Sequence, residues 1–277
     1  MSQFFCFVLC LLAVDVDESE KATDVAKRRS DEAIKVAKKH AMEYDIYIDE
    51  DRKKKLTLHS KPVLRWTNPV PQETDAPSAE VYGGIFIWTF NGRPEVIASI
   101  FKWYSPYKHV SHELQSLSLR KVEAFRGSRL EWYPSIAGVV LKRIPDDPMV
   151  AETPIQRGRQ LKLLAGAFSA EKINSKGDRT QLRLLPRPLY RYKSTNPDIV
   201  DGAVFVFVEG TDPEVVLLLE ARKRSAEVRW HYAAARLNHL HLRLYHRKNE
   251  VWSVDAIVPY KEVLDRSKPY TSITRRP

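Results

Sequence analysis

The chain has 277 residues, 43% of them hydrophobic and 29% charged, and carries a formal net charge of +10. That length buries a sizeable core in one large domain or two medium ones, and the composition is that of a globular protein rather than a disordered or fibrous one. The positive balance favours anionic partners, either a small anion or an anionic envelope component; the basic residues are dispersed and not interleaved with aromatics, which argues against nucleic acid.

Residues 4–14 read FFCFVLCLLAV and are followed by the acidic stretch DVDESE. This apolar run is too short to span a bilayer, which takes roughly 17–25 residues, but it matches the apolar region of a signal peptide. No Lys or Arg precedes it and no clean small-x-small cleavage site follows. Residues 1–14 are therefore expected to be a signal peptide or apolar anchor, giving a periplasmic or extracellular protein with no membrane span after removal. Cys6 and Cys10 are the two cysteines and both lie in this run. Without it the chain can use neither a disulfide nor a cysteine nucleophile.

Residues 15–57 read as an N-terminal helix and linker. Ala22, Val25, Ala26, Ala33, Val36, Ala37 and Ala41 share one face of a helix over 17–43. Its acidic start and its end in Lys38, Lys39 and His40 suit the helix dipole. From Tyr44 the texture changes to short apolar runs with turn signals. Strands are expected over 44–48, 55–59, 85–90, 95–103, 110–118, 122–126, 130–132 and 139–144. Asn91-Gly92 is a two-residue hairpin turn, because both positions tolerate positive φ. A helix follows over 154–169, capped by Thr153 and opened by Pro154. Strands resume over 182–185, 189–192, 203–208, 214–220, 228–237, 241–245 and 251–257. The tail after 266 reads as frayed.

The two strand-rich segments match. Residues 83–97, GGIFIWTFNGRPEVI, align without a gap on residues 202–216, GAVFVFVEGTDPEVV, at an offset of 119, with five identities in fifteen positions. Pro62-Val63-Leu64-Arg65-Trp66 resembles Pro188-Leu189-Tyr190-Arg191-Tyr192, and Thr67-Asn68-Pro69 recurs as Thr195-Asn196-Pro197. His112 lies 119 residues before His231, and Trp132 lies 120 before Trp252. This predicts two diverged β repeats, over 58–145 and 181–265, joined by a bridging helix and loop over 146–180. The runs at 85–88 and 204–207 are apolar on both parities, so both faces of these strands should be covered. The expected fold is α+β: a mostly antiparallel sandwich or barrel from two repeats, with an N-terminal and a bridging helix.

The repeated Arg65-Trp66 and Arg191-Tyr192 pairs could hold an anion or stack a planar ligand, or could lie over the core. Alternation puts His112 with Val110 and Leu114 and sends Glu113 to the other face, so the two are not a local acid–base pair. His112 and His231 could line a pocket or be buried structural residues. Arg157 on the bridging helix could face the same cavity, with Gln160 three residues on. His239 and His241 supply at most half a zinc site. No Walker loop, Rossmann fingerprint, nucleophile elbow, HExxH or EF-hand loop is present, so no cofactor and no metal are expected. The sequence favours a non-enzymatic exported module with a ligand between the repeats. The alternative is a hydrolase or lyase using His112.

The motifs P62-V-L-R-W-T-N-P69, N91-G-R-P94-E-V96, Y104-S-P106, S111-H-E113, L184-L-P-R-P-L-Y-R-Y192, G210-T-D-P-E-V215 and E220-A-R222 extend over most of the chain from Lys61. In these the sequence resembles a family of exported proteins of planctomycete-type bacteria. The resemblance implies export and brings no assigned activity, cofactor or catalytic residue.

Overall fold

The computed structural model describes residues 5–49, 52–68, 80–105, 107–225 and 227–276, with residues 5–22 described as backbone only. Pro69 and Pro106 of the motifs, residues 50–51, and the side chains of the N-terminal apolar run, including Cys6 and Cys10, lie outside this description. The chain is mostly antiparallel strand, as the turn-punctuated apolar runs predict.

The first half runs α1 (Phe5–Met42), β1 (Tyr44–Ile48), β2 (Lys54–Lys55), β3 (Thr57–Leu58), β4 (Leu64–Thr67), β5 (Glu80–Phe90), β6 (Arg93–Ser105), β7 (His109–Ser116), β8 (Val122–Arg126), β9 (Arg129–Trp132) and β10 (Lys142–Arg143). The second runs α2 (Pro154–Gly166), β11 (Phe168–Ile173), β12 (Arg179–Leu184), β13 (Tyr190–Tyr192), β14 (Ile199–Glu209), β15 (Asp212–Arg224), β16 (Glu227–Arg236), β17 (His241–His246) and β18 (Asn249–Val254). A 3-10 turn and β19 (Tyr270–Arg275) close the chain.

The long hairpins β5–β6 and β14–β15, each extended by β7 or β16, form two sheets packed face to face. Ile85, Ile87 and Ile97 meet Val204, Val206, Val216 and Leu218 in the central core. The opposite parity is buried too. Phe86, Trp88, Val96 and Ile100 lie under α1 and the β1–β8 strands. Phe205, Phe207, Val215 and Leu217 lie under α2 and the curled-over strands β11, β12 and β17. This two-sided burial is what the apolar runs required.

Three expectations change. The helix at 154–166 does not bridge the halves. It lies on the outer face of the second sheet through Leu161, Leu164 and Ala165, as α1 lies on the first through Ala37 and Ala41. The segment FSAEKI after it is strand, not helix or loop. Its helix-compatible composition is overridden by pairing to β12 and β17 on either side. The tail is not frayed. Tyr270–Arg275 pairs along β7, with Ile273 opposite His112 and Tyr270, Thr271, Ser272 and Ile273 buried, and such pairing is what orders a terminus.

The pairing registers of the halves coincide. Trp88 pairs Val96 and Thr89 pairs Pro94 across a bulge; Phe207 pairs Val215 and Val208 pairs Pro213 across the same bulge, 119 residues on. Ala124–Trp132 and Phe125–Leu130 match Leu244–Trp252 and Tyr245–Glu250, again across a shared bulge. Trp66 pairs Gly83 as Tyr192 pairs Gly202. Both glycines are needed: a Cβ at Gly83 would lie 2.9 Å from the Trp66 ring, and one at Gly202 2.3 Å from the Tyr192 ring. The tails are exchanged. β10, after the first half, adds to β16 of the second, and β19, after the second, adds to β7 of the first.

The hairpin turns are exchanged as well. Asn91 and Gly92 take positive φ, and the Asn91 carbonyl accepts from Thr195 N at 3.0 Å and Ser194 Oγ at 2.9 Å. In return Thr211, in the second turn, accepts from Thr67 N at 3.1 Å and donates to the Thr67 carbonyl at 2.5 Å. The recurring Thr-Asn segments are thus the seats of the opposite hairpin tips.

Candidate functional site

Of the seven residues singled out from sequence, Arg157 and Arg191 act on a common partner and the others do not converge. Arg157 Nε donates to Asp201 Oδ2 at 2.9 Å. Arg191 holds the same carboxylate through Nε at 3.1 Å and Nη2 at 2.7 Å, and its Nη2 also meets the Pro154 carbonyl. Hydrogen bonding to Asp201 raises the Arg191 pKa. This triad, closed on the buried Asp201 carboxylate, ties the start of α2 to β13 and β14. Gln160 instead donates to the Met149 carbonyl.

Arg65 is at the surface, where its Nη2 donates to Asp31 of α1 at 2.5 Å. Trp66 is buried in the central core, its Nε1 donating to Ser99 Oγ at 3.1 Å.

His112 is 0% exposed. It sits under α1, with its Nε2 2.8 Å from His40 Nδ1 and its Nδ1 2.7 Å from Tyr44 OH. Burial, then His40 beside it, push its pKa down to about 2, so it stays neutral. It faces the helix-covered side with Ile100 rather than the space between the halves. His231 is not its counterpart in space. It pairs Glu220, the position matching Phe101, because β16 is displaced by one residue on β15 relative to β7 on β6. A one-residue slip moves a side chain to the other face. His231 Nδ1 donates to the Arg229 carbonyl at 3.1 Å.

Tyr192 belongs to a polar cluster that sequence reasoning did not assemble. Arg93, 5% exposed, reaches from the first hairpin into the second half. Its Nε donates to Glu220 Oε1 at 2.7 Å and its Nη1 pairs Glu95 at 3.0 Å. Tyr192 OH donates to Glu220 Oε1 at 2.7 Å, and Arg222 Nη1 to Oε2 at 2.8 Å. Burial pushes Glu220 upward, but Arg93, Tyr192 and Arg222 outweigh it and hold the carboxyl below its usual range. Burial leaves Glu95 raised despite Arg93. A polar cleft of ≈ 320 Å³ opens beside the cluster, lined by Arg93, Glu95, Ser118, Arg120, Asn196 and Arg222. Its charges are largely matched internally, since Arg120 also pairs Asp49 at 2.7 Å. The signal for this cluster lay in the N91-G-R-P94-E and E220-A-R222 motifs.

A second cleft differs in kind. It runs between α2 and the 187–191 segment, with a volume of ≈ 540 Å³. Its floor is apolar: Leu161 and Phe205 are buried there, and Ile155 and Pro188 line its walls. Arg159 and Lys162 on α2 and Arg187 opposite stand around it. These three exposed cations have no acceptor among the described residues. Thr153 sets the start of α2 by accepting from Gln156 N at 3.3 Å, and the Arg157–Asp201–Arg191 triad fixes the helix over the groove. Sequence reasoning missed the three cations because they carry no motif chemistry and do not recur between the halves.

The related groove in the first half, between α1 and residues 59–60 over Phe86, has ≈ 430 Å³. There Lys55 is neutralised by Asp45 at 2.7 Å. Trp88 Nε1, beneath it, is buried without an acceptor among the described residues. No group of His, Cys, Asp or Glu among the described residues could hold a metal ion. No family model, no curated protein and no solved structure matches the chain.

Proposed function

We propose that the protein is an exported, non-enzymatic binding module that holds an anionic ligand in the groove beneath α2. The observation that carries this is the trio Arg159, Lys162 and Arg187: three cations with no acceptor among the described residues, set around one concave site. Unpaired cations gathered at a pocket cost self-repulsion that an anion removes. The net charge of +10 favours encounter with such a ligand. Export rests on the apolar run at 4–14 and on the motif resemblance, which is also part of this proposal. No helix among the described residues is long and apolar enough to cross a membrane. We further infer that the halves are diverged copies of one unit, a helix followed by strands, supported by the coincident registers and bulges. On this reading each copy begins at its helix, not at its first hairpin.

The closed core around His112 offers no open face to a substrate, which is why the binding reading is preferred to the hydrolase or lyase alternative. The test is titration of the purified full chain with anilinonaphthalene sulfonate, an anionic fluorescent probe. Arg187→Glu and Arg159→Glu should each weaken the probe by about tenfold, the loss of one charge-assisted contact. Undiminished binding in both variants rules out the groove.

A further inference from the structure

We infer that the ligand of the α2 groove is a single-chain amphiphile, an unbranched apolar tail ending in an anionic head. This rests on the groove being the anion site and adds the class of molecule. A small inorganic anion would be satisfied by the cations alone and would be better served by a polar floor. Here the floor is Phe205 and Leu161, with Pro188 and the Ile155 side chain, 73% exposed, along the walls. Exposed Ile155 on the first turn of α2 gains cover only if something apolar lies beside it. The volume of ≈ 540 Å³ falls in the range of small-molecule sites, and the layout is theirs: apolar lining with a few polar groups that fix orientation.

The charges sit where a head would be held. Arg159 and Lys162 are three apart on α2 and so lie on neighbouring positions of one face. Arg187 approaches from the other bank. Arg191, deeper in, is already committed to Asp201 and the Pro154 carbonyl, so it shapes the groove without competing for the head. Charge complementarity selects the anion and the floor selects the chain.

The first half supplies an internal control. Its groove has a similar position over Phe86, yet Lys55 is paired with Asp45 and, among the described residues that line it, no Arg opposes Lys38 on α1. The amphiphile should therefore choose the second half.

The experiment is displacement of anilinonaphthalene sulfonate from the full chain by dodecanoate below its micelle concentration. Dodecanol and acetate serve as comparators, and phosphatidylglycerol vesicles as a separate arm. Dodecanoate should displace the probe at one equivalent and at least about tenfold better than dodecanol, with acetate far weaker than both. Arg187→Glu should remove the advantage over dodecanol, while Lys38→Glu should leave it intact. If acetate competes as well as dodecanoate, the site takes anions but the amphiphile is wrong. If dodecanol matches dodecanoate, the head contributes nothing and the amphiphile is again wrong. If the chain sediments with the vesicles but ignores monomeric dodecanoate, a bilayer surface replaces the single chain as ligand. If the charge-reversed variants retain the probe itself, the groove reading fails and this inference falls with it.

Discussion

The two halves of the molecule share their strand order, two bulges and the pairing of an aromatic across a glycine, yet bury different chemistry at matching places. Where the first half has Phe101, packed on Trp66, the second has Glu220, bonded to Tyr192, Arg93 and Arg222. Where the first has Arg93 and Glu95 after its turn, the second has Asp212 and Glu214, with Lys172 holding Glu214 at 2.8 Å. The backbone frame is set by few residues: Pro94 and Pro213 at the bulges, and Gly83 and Gly202 under their aromatics. The rest of each inner face can change from apolar to ionic provided every buried charge finds a partner.

Truncating Glu220 should break this comparison most. Glu220→Ala leaves Arg93 and Arg222 short of an acceptor in a buried setting, which typically costs about 3–5 kcal/mol. Urea unfolding of the single variant measures it. Arg93→Met combined with Glu220→Phe restores the apolar pattern of the first half, and should lose less than Glu220→Ala alone. A double variant as unstable as the single would show that the cluster is worth more as an ion network than as a packed core.

The two histidines 119 residues apart sharpen the comparison through pH. His112 has a folded pKa near 2 against 6.5 for the free side chain. Above pH 6.5 it is neutral in both states and costs nothing. Below that the unfolded chain takes up a proton that the folded chain refuses. Stability should therefore fall by about 1.4 kcal/mol per pH unit, reaching about 3 kcal/mol near pH 4.5. His231 is lowered too, chiefly by desolvation, but it has the Arg229 carbonyl to favour its charged form. Unfolding free energies between pH 7 and 4.5 should flatten markedly in His112→Gln and little in His231→Gln. Equal flattening in both would mean that the one-residue slip of β16 does not separate their environments.

Much of the frame was legible. Two-parity apolar runs announced the doubly covered hairpins, Asn91-Gly92 announced the turn, and Thr153-Pro154 announced the start of α2. The alternation around Ser111-His112-Glu113 gave the face of His112. What could not be read was which parts belong together. The recurrence of His112 at His231 reads as equivalence because spacing along the chain is blind to register between strands. The N-terminal and second helices share no motif, so their matching places on the two sheets are visible only in three dimensions. Arg159, Lys162 and Arg187 are ordinary surface cations in sequence. They are brought around one groove only because α2 packs over β14, and there they have no acceptor among the described residues.

The hairpin tips give the smallest effect, and it tests whether the halves are held by their cores or by their turns. Asn91 offers its carbonyl to Thr195 and Ser194, a backbone-anchored seat that no side-chain change at position 91 removes. Thr211 relies on its hydroxyl for both contacts with Thr67. Thr211→Val keeps the shape and deletes both bonds at a solvent-exposed place, where water can serve the freed groups. The expected loss is about 1 kcal/mol in urea unfolding. A loss several times larger would mean that the tip contact controls how the two sheets close over Ile85, Val204 and their neighbours, and that the central core alone is too weak to hold the halves in register.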